Sequence, residues 1–72
     1  MKYYALKHIK TGCFVASTDF SRADGRPQQV FCTPDHPPLL FNGERLGYEL
    51  KRRSINLNDY KVVVVDIQEA KL

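Results

Sequence analysis

The run Val62-Val63-Val64-Val65, set between Lys61 and Asp66, constrains the fold of this chain more than any other stretch. β-Branched side chains favour the pleat, and an unbroken apolar run lacks the alternation of a strand with one wet face. Tyr60–Ile67 is therefore expected as a central strand covered on both faces. In 72 residues there is room for one domain, 1–72, with the tail from Gln68 to Leu72 frayed. A chain this short buries roughly 60% of its unfolded surface. A deep catalytic cavity would compete with the core for the same few apolar side chains.

A β-hairpin is the clearest local unit. Lys2–Ile9 and Cys13–Thr18 flank Lys10-Thr11-Gly12, and either a two-residue turn or a three-residue loop could join them. The three-residue loop places Tyr4, Leu6 and His8 on one face with Phe14, Ala16 and Thr18. This is the more apolar sort, and register follows the face that must be buried. The polar stretch Asp19–Gln28, with Asp24-Gly25 and Pro27, reads as a long loop that is either mobile or part of a working surface. Gln29–Thr33 reads as a short third strand. Pro34, Pro37 and Pro38 then exclude regular structure.

Asn42-Gly43 is either a tight hairpin turn or a helix start. Glu44 near one end and Lys51, Arg52 and Arg53 at the other suit a helix dipole, and Leu46 and Leu50 lie one turn apart. The helix is the expectation, despite Gly47. The predicted fold class is α+β: a small, mainly antiparallel sheet of order β-β-β-α-β, the last strand beside the first and the helix packed on one face.

His8, Cys13, Cys32 and His36 could in principle supply a tetrahedral zinc set. The spacing contains no close Cys-x2-Cys pair, and the preferred register points His8 and Cys13 to opposite faces. Free cysteines are more often small buried hydrophobes, so neither metal nor cofactor is expected. A Cys13–Cys32 disulfide would need neighbouring strands and an oxidising compartment. Nucleophilic catalysis by either cysteine lacks a histidine aimed by a rigid element, and no paired-carboxylate, phosphate-loop or metal-hydrolase motif is present. An enzyme is not expected. Two cysteines, no apolar run behind Lys2 and no run of membrane-spanning length suit a cytoplasmic chain without a secretory leader or membrane partner.

The net charge of +3 is unevenly placed. Arg22, Arg26, Arg45, Lys51, Arg52 and Arg53 form a basic set suited to an acidic patch on a larger protein. Lys2, Tyr3, Lys7, Lys10 and Arg52 form the alternative, cations and an aromatic for RNA, single-stranded DNA or a nucleotide. Against both stands ordinary solubility, and for the aromatics ordinary core packing. A homodimer through an uncovered edge, such as Gln29–Thr33, is a third expectation.

The opening Leu6-Lys7-His8-Ile9-Lys10-Thr11-Gly12-Cys13-Phe14 and the closing Tyr60–Ile67 segment resemble short accessory proteins of tailed bacteriophages. Those open on an Ile-Lys-x-x-Thr-Gly-x-Phe-like hairpin and end on a hydrophobic strand. The Lys-Ile order differs here, and about a quarter of the chain is covered. The resemblance implies an early protein that takes over or inhibits host machinery, defence systems included, and it transfers no site residue. The expected function is a small non-enzymatic binding protein, an inhibitor or modulator of a larger host protein.

Overall fold

The first strand, β1 (Lys2–His8), pairs along both of its edges. The computed structural model describes residues 2–66, and within them β1 is followed by β2 (Val15–Asp19), β3 (Gln28–Phe31), α1 (Leu46–Arg52) and β4 (Tyr60–Asp66). The α+β order β-β-β-α-β is as the residue pattern implies. One antiparallel pair joins β1 to β4 over seven residues, from Lys2 opposite Asp66 to His8 opposite Tyr60. A second joins β2 to β3. The other edge of β1 is shared by two segments, with Tyr4 bridged to Phe41 and Lys7 to Phe14.

This arrangement corrects the expectation for the valine strand. Among the described residues the hydrogen-bonded neighbour of β4 is β1 alone, which places β4 at the edge of its sheet. None of Val62 to Val65 is fully buried, and Val64 is 56% exposed. The central strand is β1, where Ala5 and Leu6 are each 1% exposed. Leu6, Val15 and Phe41 form the core, with Tyr4, Phe31, Leu39, Tyr60 and Val62 packed around them. The expected extension of the strand to Ile67 and the frayed tail at Gln68–Leu72 lie outside the described residues.

The hairpin register also differs from both sequence alternatives. His8 N–H donates to the Cys13 carbonyl and Gly12 N–H donates to the His8 carbonyl, each at 2.8 Å. The loop is thus Ile9–Gly12, with Gly12 at φ +74°. Thr11 N–H donates to His8 Nδ1 at 3.3 Å, and the Thr11 hydroxyl lies 3.1 Å from that nitrogen while accepting from Cys13 N–H. Side chains therefore complete the turn in place of a standard short loop. Leu6 falls opposite Val15, so Val15 takes the core face, and Phe14 lies on the other under the Lys7 ammonium, 5.8 Å from the ring centroid. Sorting by face requires a full two-strand hairpin. The chain instead bulges between Val15 and Ser17 and leaves β1 for β3, so only Phe14 and Val15 are sorted by β1.

Thr33 and His36 close a small turn through reciprocal backbone bonds, 3.3 Å from Thr33 N–H and 3.0 Å from His36 N–H. The following segment returns along β1, Leu39 N–H donating to Val15 and Phe41 exchanging bonds with Tyr4. The helix starts later than Asn42. The Asn42 side chain accepts from Arg45 N–H at 2.9 Å and caps the intervening turn, after which Leu46 and Leu50 join the core margin. The helix thus meets the Leu6–Val15–Phe41 core through these two leucines, and none of its own residues is fully buried. Behind α1, Ser54 at φ +53° reverses the chain, and Ile55 N–H donates back to Leu50.

Candidate binding surface

Helical spacing of Arg45, Tyr48, Glu49 and Arg52 puts all four on one face of α1, since residues three, four and seven apart overlie one another. Opposite this face run Leu40, Phe41 and Asn42. Together they line a concavity of about 510 Å³. Tyr48 is 62% exposed on it. Ordinary core packing, the expectation for the aromatics in general, does not hold for Tyr48. The spacing Arg45-x-x-Tyr48-x-x-x-Arg52 was the signal that could have placed it outward.

Glu49 organises the arginines. Its carboxylate accepts from Arg53 Nε at 3.0 Å and from Arg52 Nη1 at 3.4 Å, and Arg53 Nη2 pairs with it at 3.0 Å. Burial disfavours its ionisation, but the Arg53 hydrogen bond and the charges of Arg53, Arg52 and Arg45 outweigh that and hold the carboxyl below its ordinary range. The Arg53 side chain is only 12% exposed against 43% for Arg52. Its guanidinium also lies 5.5 Å from the Phe41 centroid. Arg53 is thus drawn into the fold, whereas Arg52 stays at the surface with Arg45 and Lys51.

Phe20 ties the long loop to the helix end. Its ring lies 4.8 Å from the Arg52 guanidinium and 5.9 Å from that of Arg53. Gln29 Nε2 adds a 2.8 Å bond to the Arg53 carbonyl, and its Oε1 accepts from Thr18. Within the loop, Asp19 accepts from Ser21 N–H and Asp24 from Arg26 N–H, while Gly25 takes φ +73°. The Ser21 hydroxyl and N–H, together with the Arg22 charge, hold the Asp19 carboxyl below its ordinary range against slight desolvation. Arg22 bonds Gln28 Oε1 and Asp24, each at 3.1 Å. Arg22 therefore faces a second cleft of about 380 Å³, whose lining includes His8, Phe31, Asp59 and Tyr60. There His8 meets Tyr60 edge-on at 5.1 Å and Phe31 at 5.6 Å.

The basic set is thus divided. Arg45 and Arg52 share the helix concavity, Lys51 is exposed on the same helix, Arg53 is a structural arginine, and Arg22 and Arg26 lie in the β2–β3 loop. The alternative set is divided more widely. Tyr3 and Lys7 alternate with Leu6 on β1 and so occupy the sheet face away from the core, Lys10 lies in the hairpin loop, and Arg52 is on the helix packed against the core face. His8 and Cys13 are directly paired rather than on opposite faces. Cys13 is exposed and Cys32 half-buried, both as free thiols. Among the described residues no three His, Cys, Asp or Glu side chains gather as a metal set, and no helix is long and apolar enough to cross a membrane.

Compared with protein-family models, curated proteins and solved structures, the chain matches none.

Proposed function

We propose that this chain is a non-enzymatic binding protein that modulates or inhibits a larger protein through the exposed face of α1. One observation carries the reading: Tyr48 stands exposed over a concavity flanked by Arg45 and Arg52. Tyrosine and arginine are the residues most often found at interface hot spots, where a rigid aromatic inserts and arginines pair with carboxylates around it. Glu49 is already neutralised by Arg52 and Arg53, which leaves the Arg45 charge to attract an acidic partner. The resemblance to phage accessory proteins implies a bacterial host protein, defence components included, as that partner.

The test is affinity capture from bacterial lysate, with and without nuclease, using the wild-type chain and the variants Tyr48→Ala and Arg45→Glu. A stoichiometric protein that survives nuclease, weakens with salt and is lost in both variants is the expected result. Capture unaffected by either variant overturns the choice of surface. Loss of all capture after nuclease overturns the protein-partner reading in favour of nucleic acid, whose binding should fall steeply with salt as counterions are released.

A further inference from the structure

Among the described residues, no strand pairs with the outer edge of β4. Ile9 N–H donates to the Asp59 carbonyl, while Tyr4 and His8 bond Phe41 and Cys13 across the other edge of β1. Odd-numbered residues therefore carry the β1–β4 bonds. On β4 the even-numbered residues direct N–H and C=O away from β1. Tyr60 N–H turns back to the Asn56 carbonyl. On the side away from β1, Val62 and Val64 meet no strand among the described residues.

Proteins blunt such edges with short strands, prolines and charges. The open edge of β3 is blunted in this way: it is four residues long and bracketed by Pro27 and Pro34. β4 runs seven residues without proline, and Lys61 is its only interior charge. Gln29–Thr33, the example of a dimer edge offered by the sequence, overlaps this shorter, proline-flanked strand.

We propose that β4 pairs antiparallel with β4 of a second copy of this chain, with Val63 beside the two-fold axis. In this register Val62 of each copy faces Val64 of the other, and four backbone hydrogen bonds satisfy every N–H and C=O that the two valines direct outward. All seven strand residues overlap. Tyr60 falls opposite Asp66 and Lys61 opposite Val65, so no like charges are set against each other. Val64, the most exposed valine, is covered by Val62 of the second copy. Another chain would have to match length, register and charge independently, whereas a copy does so by symmetry. The product is a continuous four-stranded sheet. It shares no residue with the α1 concavity, so the two proposals stand or fall separately.

Sedimentation from micromolar to millimolar concentration tests it on the intact chain, alongside a chemically synthesised chain N-methylated at Val64 and the variant Val64→Lys. N-methylation removes one outward donor and leaves the side chain and the β1 ladder in place. The wild type should approach twice the chain mass, with Val62 and Val64 amides whose exchange slows as concentration rises. The N-methyl chain should remain monomeric with an unchanged dilute circular-dichroism spectrum. Val64→Lys, at an exposed position, should weaken dimerisation by about tenfold or more. A wild type that stays monomeric at millimolar concentration overturns the proposal. So does a dimer that survives both changes, which would place the interface on another surface.

Discussion

Arg52 and Arg53 are adjacent in sequence, yet truncating them to alanine should have different consequences. Arg53 makes two 3.0 Å contacts to Glu49, with both side chains 12% exposed, and lies against the buried Phe41 ring. A hydrogen bond between charged groups contributes about 1.5 kcal/mol or more in such partly desolvated surroundings. A cation over an aromatic face adds about 0.5–1 kcal/mol. Arg53→Ala should therefore cost about 2–3 kcal/mol, against a total stability of roughly 4–11 kcal/mol for a chain of this length. Arg52 has a longer contact to Glu49, at 3.4 Å, and a cation–π contact to the exposed Phe20. Solvent screening limits its ion pair to a few tenths, so Arg52→Ala should cost about 1 kcal/mol or less. A shift of about 4–8 °C in Tm per kcal/mol for domains of this size puts the loss near 8–24 °C for Arg53→Ala and below about 8 °C for Arg52→Ala. Thermal melts at neutral pH, at low protein concentration, measure both. Equal losses, or a greater loss for Arg52→Ala, would refute the division into a structural arginine and a surface arginine.

Lys7 and Lys61 sit directly opposite each other in the β1–β4 ladder, and like charges so placed are destabilising. Lys61→Glu should stabilise the monomer by about 0.2–1 kcal/mol, read as a rise in the urea midpoint that shrinks in high salt. No stabilisation at low salt would mean that the turn of Lys7 toward Phe14 already separates the charges. Acid should act through Glu49 and Asp19, whose folded pKa values are both lowered. A lowered carboxyl contributes stability that is fully present above its unfolded value and is lost as pH falls through the folded one. Stability should hold above the ordinary glutamate value of 4.5 and decline below it, with Glu49→Gln flattening part of the decline in a urea titration against pH. In the alkaline range, burial and then the nearby Asp59 charge raise the Tyr60 pKa. Its contribution is full below the ordinary 10.0 and lost as pH rises through the folded value. Tyr60→Phe should remove that alkaline component.

Local chemistry made several elements legible. β-Branched residues marked β4, and the leucine spacing with opposed terminal charges marked α1 against the competing hairpin. Asn42 caps as its side chain allows, although one turn ahead of the regular helix. The site was legible in composition but not in allocation. Arg52 and Arg53 are chemically identical, and their roles divide because position 53 turns toward Phe41 and Glu49 while position 52 lies on the outward arc. The hairpin register failed for a related reason: the apolar sort treated Phe14 as a residue the hairpin must bury, whereas Lys7 covers it from the outer face.

The valine run shows where the boundary falls. Four β-branched residues in succession determined a strand, because that preference is local to the backbone and its own side chains. Whether the strand is central or at an edge depends on which segments reach the two sides of β1, and those come from residues far away in sequence. Phe14 and Phe41 take one side and β4 the other, so β1 became the buried strand and the valines its border. An unbroken apolar run carries no record of how many neighbours it has. Only tertiary pairing decides that number, and here it turned an expected core strand into an open edge.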